Sequence, residues 1–165
     1  MSQITIRRMT TSDAAAVRTV EMEAFGQAAE ADIVEALHRD GDTLVSLVAE
    51  FDEEIVGHIE LFRMLLNGEP IICGLGPVAV SPARQRIGIG AALVQAGIDA
   101  LKQDGETLCI LLGHPDYYPR FGFSTQAARP FTSQYSGSPA YMALALGEPA
   151  PTGGAVAWPA AFGIT

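Results

Sequence analysis

A chain of 165 residues with 48% hydrophobic and 18% charged side chains has the composition of a compact globule, long enough to bury about 70% of its unfolded surface, and this excludes a disordered polymer. A formal net charge of -9 opposes a phosphate-backbone partner, which would need clustered Lys and Arg, and is more comfortable with a neutral or cationic one. The opening MSQITIRRMTTSD lacks the apolar core of a signal peptide and no run reaches the roughly 18 apolar residues of a membrane span, so one cytoplasmic domain over residues 1–165 is expected, with no nucleic-acid or membrane partner.

Gln3 to Arg8 alternates Ile4 and Ile6 with Thr5 and Arg7, a period of two that predicts a first strand with one wet face. Thr11, Ser12 and Asp13 offer caps for a helix over Ala14 to Phe25, with Val17, Val20 and Ala24 on one stripe and Gly26 at its end. A second helix is expected from about Ala29 to Arg39, turning Ile33, Val34 and Leu37 inward, with Gly41 just beyond. Leu44 to Phe51 reads as strand two. The acidic turn Asp52-Glu53-Glu54 leads into a long strand three, Ile55 to Leu66, whose alternation points His58 and Glu60 the same way. Asn67-Gly68 is a turn signal, and strand four follows from near Ile71. Its Gly74, Gly76 and Pro77 suit a strand poorly, since proline donates nothing to the ladder and glycine weakens it; a bulge at Gly76-Pro77 accounts for them.

The apolar Val78-Ala79-Val80 stops at Ser81-Pro82, and the glycine-spaced Arg86-Ile87-Gly88-Ile89-Gly90-Ala91 opens a third helix with Leu93, Ala96, Gly97 and Leu101 on one face. Asp104-Gly105 closes it. Thr107 to Leu112 is a short strand five, followed by Gly113-His114-Pro115-Asp116 and Tyr117-Tyr118; Phe123, Thr132 to Tyr135 and Tyr141 to Leu146 are expected to supply the remaining strands. The tail over residues 149–165, rich in Pro, Gly and Ala with Trp158 and Phe162, is expected to cover a sheet edge or reach a second subunit. Cys73 and Cys109 sit in apolar runs and read as small, buried, reduced side chains; they make no disulfide framework, and no metal site is expected.

The head of the third helix has the chemistry of an anion site. Its first amides lack intrahelical partners and carry the positive end of the helix dipole, Gly88 and Gly90 let the backbone approach a bulky phosphate, and Arg84 and Arg86 add charge. Two nucleotide readings fail on spacing. A P-loop needs a Gly-Lys pair, which the chain lacks, and a dinucleotide fingerprint needs a third glycine, whereas Gly90 is followed by Ala91, Ala92 and Leu93. Gln85-x-x-Gly88-x-Gly90, placed after a Val-x-Val strand and a proline, instead resembles the acetyl-CoA signature of the GNAT superfamily of N-acetyltransferases. That signature is Gln or Arg, two residues, Gly, one residue, then Gly or Ala. Downstream, Tyr118-Pro119-Arg120-Phe121-Gly122-Phe123 resembles the same family's Tyr-x-x-x-Gly-Phe element, in the same order along the chain.

The resemblance implies an α/β fold: a central mixed, mostly antiparallel sheet of about seven strands flanked by about four helices, with strands four and five splayed at the bulge to admit a pantetheine arm. It implies an acyltransferase that moves an acetyl group from acetyl-CoA, as co-substrate, to a primary amine by direct attack in a ternary complex, since no cysteine stands in a nucleophile setting. Val78, Ala79, Val80, Gln85, Arg86, Ile87, Gly88, Ile89, Gly90 and Ala91 would bind the cofactor, with the Val78 to Val80 amides polarising the thioester carbonyl. Tyr118 is the counterpart of the family's general acid, its alternative being a packed tyrosine, and Tyr117 reads as packing. Glu60 is the leading carboxylate for the general base, ahead of His58 and His114, although some members use ordered water. The first two helices would wall the acceptor site, which marks Glu21, Glu23 and Phe25.

An asparagine that many members carry after strand five is missing from Gly113 to Tyr117. Arg120 either compensates by reaching a phosphate or pairs with Asp116. Small amine, amino acid, antibiotic, polyamine and protein N-terminus all stay open as acceptors, with a small-molecule amine, cationic by preference, expected. A homodimer through the C-terminal strands is compatible with the family. The reading from a different class is a catalytically inactive acyl-CoA-binding sensor or interaction module.

Overall fold

The computed structural model describes residues 3–164; Met1, Ser2 and Thr165, which the one-domain expectation includes, lie outside the described residues. Eight strands and four α-helices follow in the order β1 (Thr5–Arg8), α1 (Ala14–Phe25), α2 (Ala29–Asp40), β2 (Thr43–Phe51), β3 (Glu54–Leu66), β4 (Glu69–Val80), α3 (Ile89–Gln103), β5 (Leu108–Leu112), α4 (Thr125–Ala128), β6 (Phe131–Thr132), β7 (Tyr141–Ala145) and β8 (Gly154–Ala157). Gly26 and Gly41 close α1 and α2 in the left-handed conformation expected of helix-ending glycines.

The main sheet runs β1-β2-β3-β4-β5-β7. All neighbours in this path are antiparallel except β4 and β5, which are parallel. The sheet separates two hydrophobic layers. Ile59 and Leu61 of β3 and Cys73 and Leu75 of β4 pack with Leu93, Ile98 and Leu101 of α3 on one face. The alternate residues Phe62 and Met64 join Leu37 of α2, Ile72 and Ile110 on the other. Gly97 sets the α3 distance: a Cβ there would come within 2.9 Å of Leu61 Cδ1. Both cysteines are free and buried, as their apolar contexts imply.

Register places the bulge where the sequence calls for one. Val78 pairs with Ile59 and Leu75 with Leu61, so Gly76 and Pro77 together stand opposite Glu60 alone. Beyond it β4 stays with β3, whereas β4 pairs with β5 only through Cys73 with Cys109 and Gly74 with Ile110. From there β5 remains with β7, down to Leu112 opposite Tyr141, and parts from β4. The two strands therefore splay.

The C-terminal third departs from expectation. The strand expected over Thr132 to Tyr135 is only the two-residue β6, and Phe123 precedes an isolated bridge from Ser124 to Ala143. The extra strand comes from the tail. β8 runs parallel to β6 and antiparallel to the end of β3, pairing Leu65 with Ala157 and Leu66 with Val156. β4 occupies the other edge of β3 as far as Leu66, so β8 takes the edge that β2 leaves at Phe62. The tail continues into Trp158 and Phe162, whose ring lies 4.7 Å from that of Phe62.

Candidate active site

The loop from β4 to α3 is a cradle of unpaired amides. Gly88 takes a left-handed φ of 94° at the N-terminus of α3, where the Ile89, Gly90 and Ala91 amides have no intrahelical acceptor. Arg86 is left-handed too, at φ 68°, a conformation that costs a non-glycine residue about 1–3 kcal/mol and persists only where the surroundings impose it. Gln85 helps impose it: its Nε2 donates to Val80 O at 2.9 Å and ties the loop to the end of β4. Arg84 stacks its guanidinium 4.1 Å from the Phe51 ring, so its charge is anchored beside the loop, and Arg86 and Ile87 are exposed.

Tyr117 packs, as read from the sequence, edge-on to Tyr118 at 5.1 Å and to Phe121 at 5.4 Å, and its hydroxyl also comes near this cradle. A Cβ on Gly90 would lie 3.6 Å from the Tyr117 hydroxyl. Arg120 stacks 4.5 Å from the Tyr117 ring while its Nε donates to Tyr117 O at 2.9 Å. Among the described residues it makes no ion pair with Asp116.

Between the parted strands lies a cleft of about 370 Å³. Leu75, Gly76, Pro77 and Val78 form its β4 wall, and Leu111 to His114 with Tyr118 form the β5 wall. Phe25, Glu30 and Ile33 approach from α1 and α2, and Trp158, Phe162 and Ile164 close it from the tail. Tyr118 is placed there by Gly113: a Cβ at that position would stand 2.3 Å from Tyr118 Cε2, so only glycine lets the ring lie across the strand end. Burial, with a smaller contribution from Tyr117, pushes the Tyr118 phenol up to about 12. Its proton therefore stays in place at any working pH.

Behind the cleft the even-numbered face of β3 carries a buried polar chain. Glu60 is fully buried; its Oε2 accepts from Thr43 Oγ1 at 2.6 Å, and its Oε1 lies 3.2 Å from both His38 Nε2 and His58 Nε2. His58, equally buried, sets its Nε2 2.9 Å from Ser46 Oγ and its Nδ1 2.7 Å from Glu21 Oε2. Glu21 Oε1 is buried with no hydrogen-bond partner among the described residues. Burial would lift the Glu60 carboxyl, but its bonds to His38, His58 and Thr43 outweigh this and hold it below the usual carboxylate range. Burial likewise opposes a charged His58, yet the bonds to Glu21 and Glu60 leave its pKa raised. Burial wins at Glu21, whose pKa is raised despite His58. The set favours an ionised Glu60, with a proton held between His58 and Glu21.

A family model described as the acetyltransferase (GNAT) domain matches residues 5–126. The chain belongs to the GNAT acetyltransferases. It is 41% identical over 117 residues to the uncharacterized N-acetyltransferase YjhQ of Escherichia coli (strain K12), a match covering 68% of this chain and 65% of that one, just under two thirds of its length. A GNAT family acetyltransferase from Brucella melitensis, crystallised with acetyl-CoA, superposes with a TM-score of 0.83 at 38% identity, covering 97% of this chain and 98% of the other. The GNAT family N-acetyltransferase YhbS from Escherichia coli, crystallised with CoA, superposes at 0.91 with 27% identity, covering 99% and 93%. The mixed sheet and its parallel β4–β5 pair are thus the GNAT fold, and the chain is an acyltransferase of a family that acts on small-molecule or protein amines.

Within this GNAT chain the expected site residues fall into two groups. Val78 and Tyr118 line the cleft with His114 and Phe25, Ala79 and Val80 continue β4 from Val78, and Gln85 to Ala91 form the loop and head of α3 that follow it. Glu60 does not line it; it sits one layer behind, two residues from the cleft-lining Phe62 on the same face of β3. Glu21 joins Glu60 through His58, and Glu23 is exposed. Sequence reasoning missed His38, Thr43 and Ser46. For Thr43 and Ser46 the one signal is cross-strand register, which pairs Ser46 with Glu60 and Thr43 with Phe62; His38, on α2, has none. Among the described residues no helix is long and apolar enough to cross a membrane.

Proposed function

We propose that the chain is a cytoplasmic N-acetyltransferase that carries an acetyl group from acetyl-CoA to a small primary amine by direct attack in a ternary complex. The observation that carries this is Tyr118 in the cleft between the parted strands, with the amide cradle of α3 beside it. The relatives crystallised with acetyl-CoA and CoA support the choice of donor. Two buried, free cysteines suit a reducing compartment.

The amides of Gly88 to Ala91, with Gln85 fixing the loop, hold the pyrophosphate at the positive end of α3. Amides of Val78 to Val80 that face away from β3 lost strand partners when β5 turned aside, and they polarise the thioester carbonyl. The neutral amine attacks the carbonyl carbon, a C–N bond forms, the C–S bond breaks and the thiolate takes a hydrogen bond and then a proton from Tyr118. Against a thiol of ordinary pKa, about 8.5, that transfer from a phenol near 12 is uphill by about 5 kcal/mol. Desolvation raises both acids together, and the hydrogen bond itself stabilises the departing sulfur.

The proton leaving the amine goes to the buried chain. Glu60 acts as base at a distance: Glu21 Oε1 is the unfilled acceptor, His58 relays, and the ionised Glu60 supplies the charge that makes His58 basic. His38, with a side chain 36% exposed, opens the chain to solvent. Val78, Ala79, Val80, Gln85, Arg86, Ile87, Gly88, Ile89, Gly90 and Ala91 are the cofactor-binding set, and residues 1–165 act as one unit. A homodimer is compatible with this reading, and the tail lines the cleft of its own chain through Trp158, Phe162 and Ile164.

Calorimetric titration with acetyl-CoA, against ATP and NAD as controls, followed by amine-dependent release of CoA thiol, tests the proposal. Selective micromolar binding with amine-dependent release supports it. Binding without release would reduce the chain to an acyl-CoA sensor, and no binding would remove the acetyl-CoA reading altogether.

A further inference from the structure

The acceptor half of the cleft has a composition of its own. Phe25 from α1, Phe62 from β3, and Trp158 and Phe162 from the tail bring four aromatic side chains to one cavity, and Leu75, Pro77 and Ile33 extend the apolar wall. The rings are held in place. Phe162 packs on Phe62 at 4.7 Å, and Trp158 sits edge-on to Tyr135 at 5.4 Å. Among the lining residues Glu30, His114, Tyr118 and the indole N–H of Trp158 offer polar side-chain atoms, and Glu30 is the one carboxylate. Its two oxygens lie 3.0 and 3.1 Å from Gln27 Nε2, at the first turn of α2.

These groups discriminate among amines. An amino sugar would bring several hydroxyls to walls whose side chains offer few partners, and each hydroxyl buried without a partner is a penalty. A polyamine would bring a second ammonium beside the rings with only Glu30 to neutralise either charge. A primary amine on a short alkyl arm ending in an aromatic ring leaves nothing unpaired. Its ring meets aromatic faces and edges, which favour offset or edge-on contact, and its single cation is drawn by Glu30 and by a net charge of -9. The whole cleft is about 370 Å³, toward the small end of the roughly 300–1,000 Å³ range of small-molecule pockets, and the acyl donor's arm shares it, so the acceptor is small.

Resting on the acetyl-transfer reading above, we infer that the acceptor is a small arylalkyl primary amine and that Phe25 and Phe162 determine this preference. The family match ends at residue 126, so Trp158 and Phe162 belong to a part of the cleft that the matched domain does not include.

The test measures CoA-thiol release at saturating acetyl-CoA with phenylethylamine and tryptamine, against spermidine and glucosamine, while calorimetry reports acetyl-CoA affinity separately. The expected result is a kcat/KM at least tenfold higher for the aryl amines. Phe25→Ala, at a side chain already 41% exposed, and Phe162→Ala should each raise KM for phenylethylamine at least fivefold and leave acetyl-CoA affinity within twofold. Equal or better use of spermidine or glucosamine, indifference of KM to both substitutions, or acetyl-CoA binding with no turnover of either amine set would overturn the inference. Absence of acetyl-CoA binding would instead strike the acetyl-transfer reading beneath it.

Discussion

His58 Nδ1 lies 2.7 Å from Glu21 Oε2, and neither side chain is exposed to solvent. An imidazole and a carboxylate 37 residues apart in sequence are thus sealed together in the interior, with Glu60 on the far nitrogen. Leaving one such buried partner alone is costly, so His58→Ala should destabilise the fold by about 3–5 kcal/mol in urea titration. A loss below about 1 kcal/mol would mean that the pair is not a coupled unit.

The same three groups fix a pH signature. His58 has a raised pKa, so the stability it confers is complete below its unfolded value of about 6.5 and is lost as pH rises through the folded value. Glu60 is lowered, so its share is present above about 4.3 and fades as pH falls through its folded value. Glu21 is raised and reinforces the alkaline decline. Urea midpoints measured across pH should peak on the mildly acidic side of neutrality. In Glu60→Gln the alkaline decline should end at lower pH and be smaller, because His58 has lost one of its two anionic neighbours. An alkaline limb that does not move would separate Glu60 from His58.

Tyr118→Phe should lower kcat at least tenfold while acetyl-CoA affinity stays within twofold in calorimetry. With the phenol held up to about 12, the wild-type rate should show no alkaline loss from ionisation of this group below about pH 10. Unchanged turnover in the Phe variant would remove the acid role.

Gly113→Ala adds a methyl where the Tyr118 ring already lies, 2.3 Å from the new Cβ. The expected outcome is a stability loss of about 1–3 kcal/mol, typical of overpacking, with a fall in kcat approaching that of Tyr118→Phe. Full activity would show that the ring position is unimportant.

Gly88→Ala tests the cradle separately. Nothing stands within 4 Å of the added Cβ, so its cost comes from the left-handed φ of 94° and should be about 1–2 kcal/mol. As the amides shift, acetyl-CoA affinity should fall at least tenfold. A normal dissociation constant would place the phosphates elsewhere.

How much of this could be read beforehand depended on how local the physics was. The bulge at Gly76-Pro77 was legible because two residues unsuited to a strand occupy it, and the common orientation of His58 and Glu60 followed from strand parity alone. The head of α3 announced itself through glycine spacing. The partners of Glu60 did not, because His38 and Thr43 reach it from 22 and 17 residues away, through a register that no local pattern encodes. Tyr117 keeps the packing role read for it, edge-on to Tyr118 and Phe121, while the nearness of its hydroxyl to Gly90 is a contact that no local pattern encodes. β8 is four residues of Gly, Ala and Val whose strand character exists only because β3 offers an open edge.

That last strand ties two properties to one short seam. β8 meets β3 through two residue pairs, Leu65 with Ala157 and Leu66 with Val156, and Trp158, Phe162 and Ile164 after it line the cleft. Segments held by few strand pairs open at lower free energy than sheet interiors. On warming, β8 and the aromatic wall it carries should loosen while the α3 cradle is still intact, so the aromatic lining of the cleft should be lost before the amides at the head of α3.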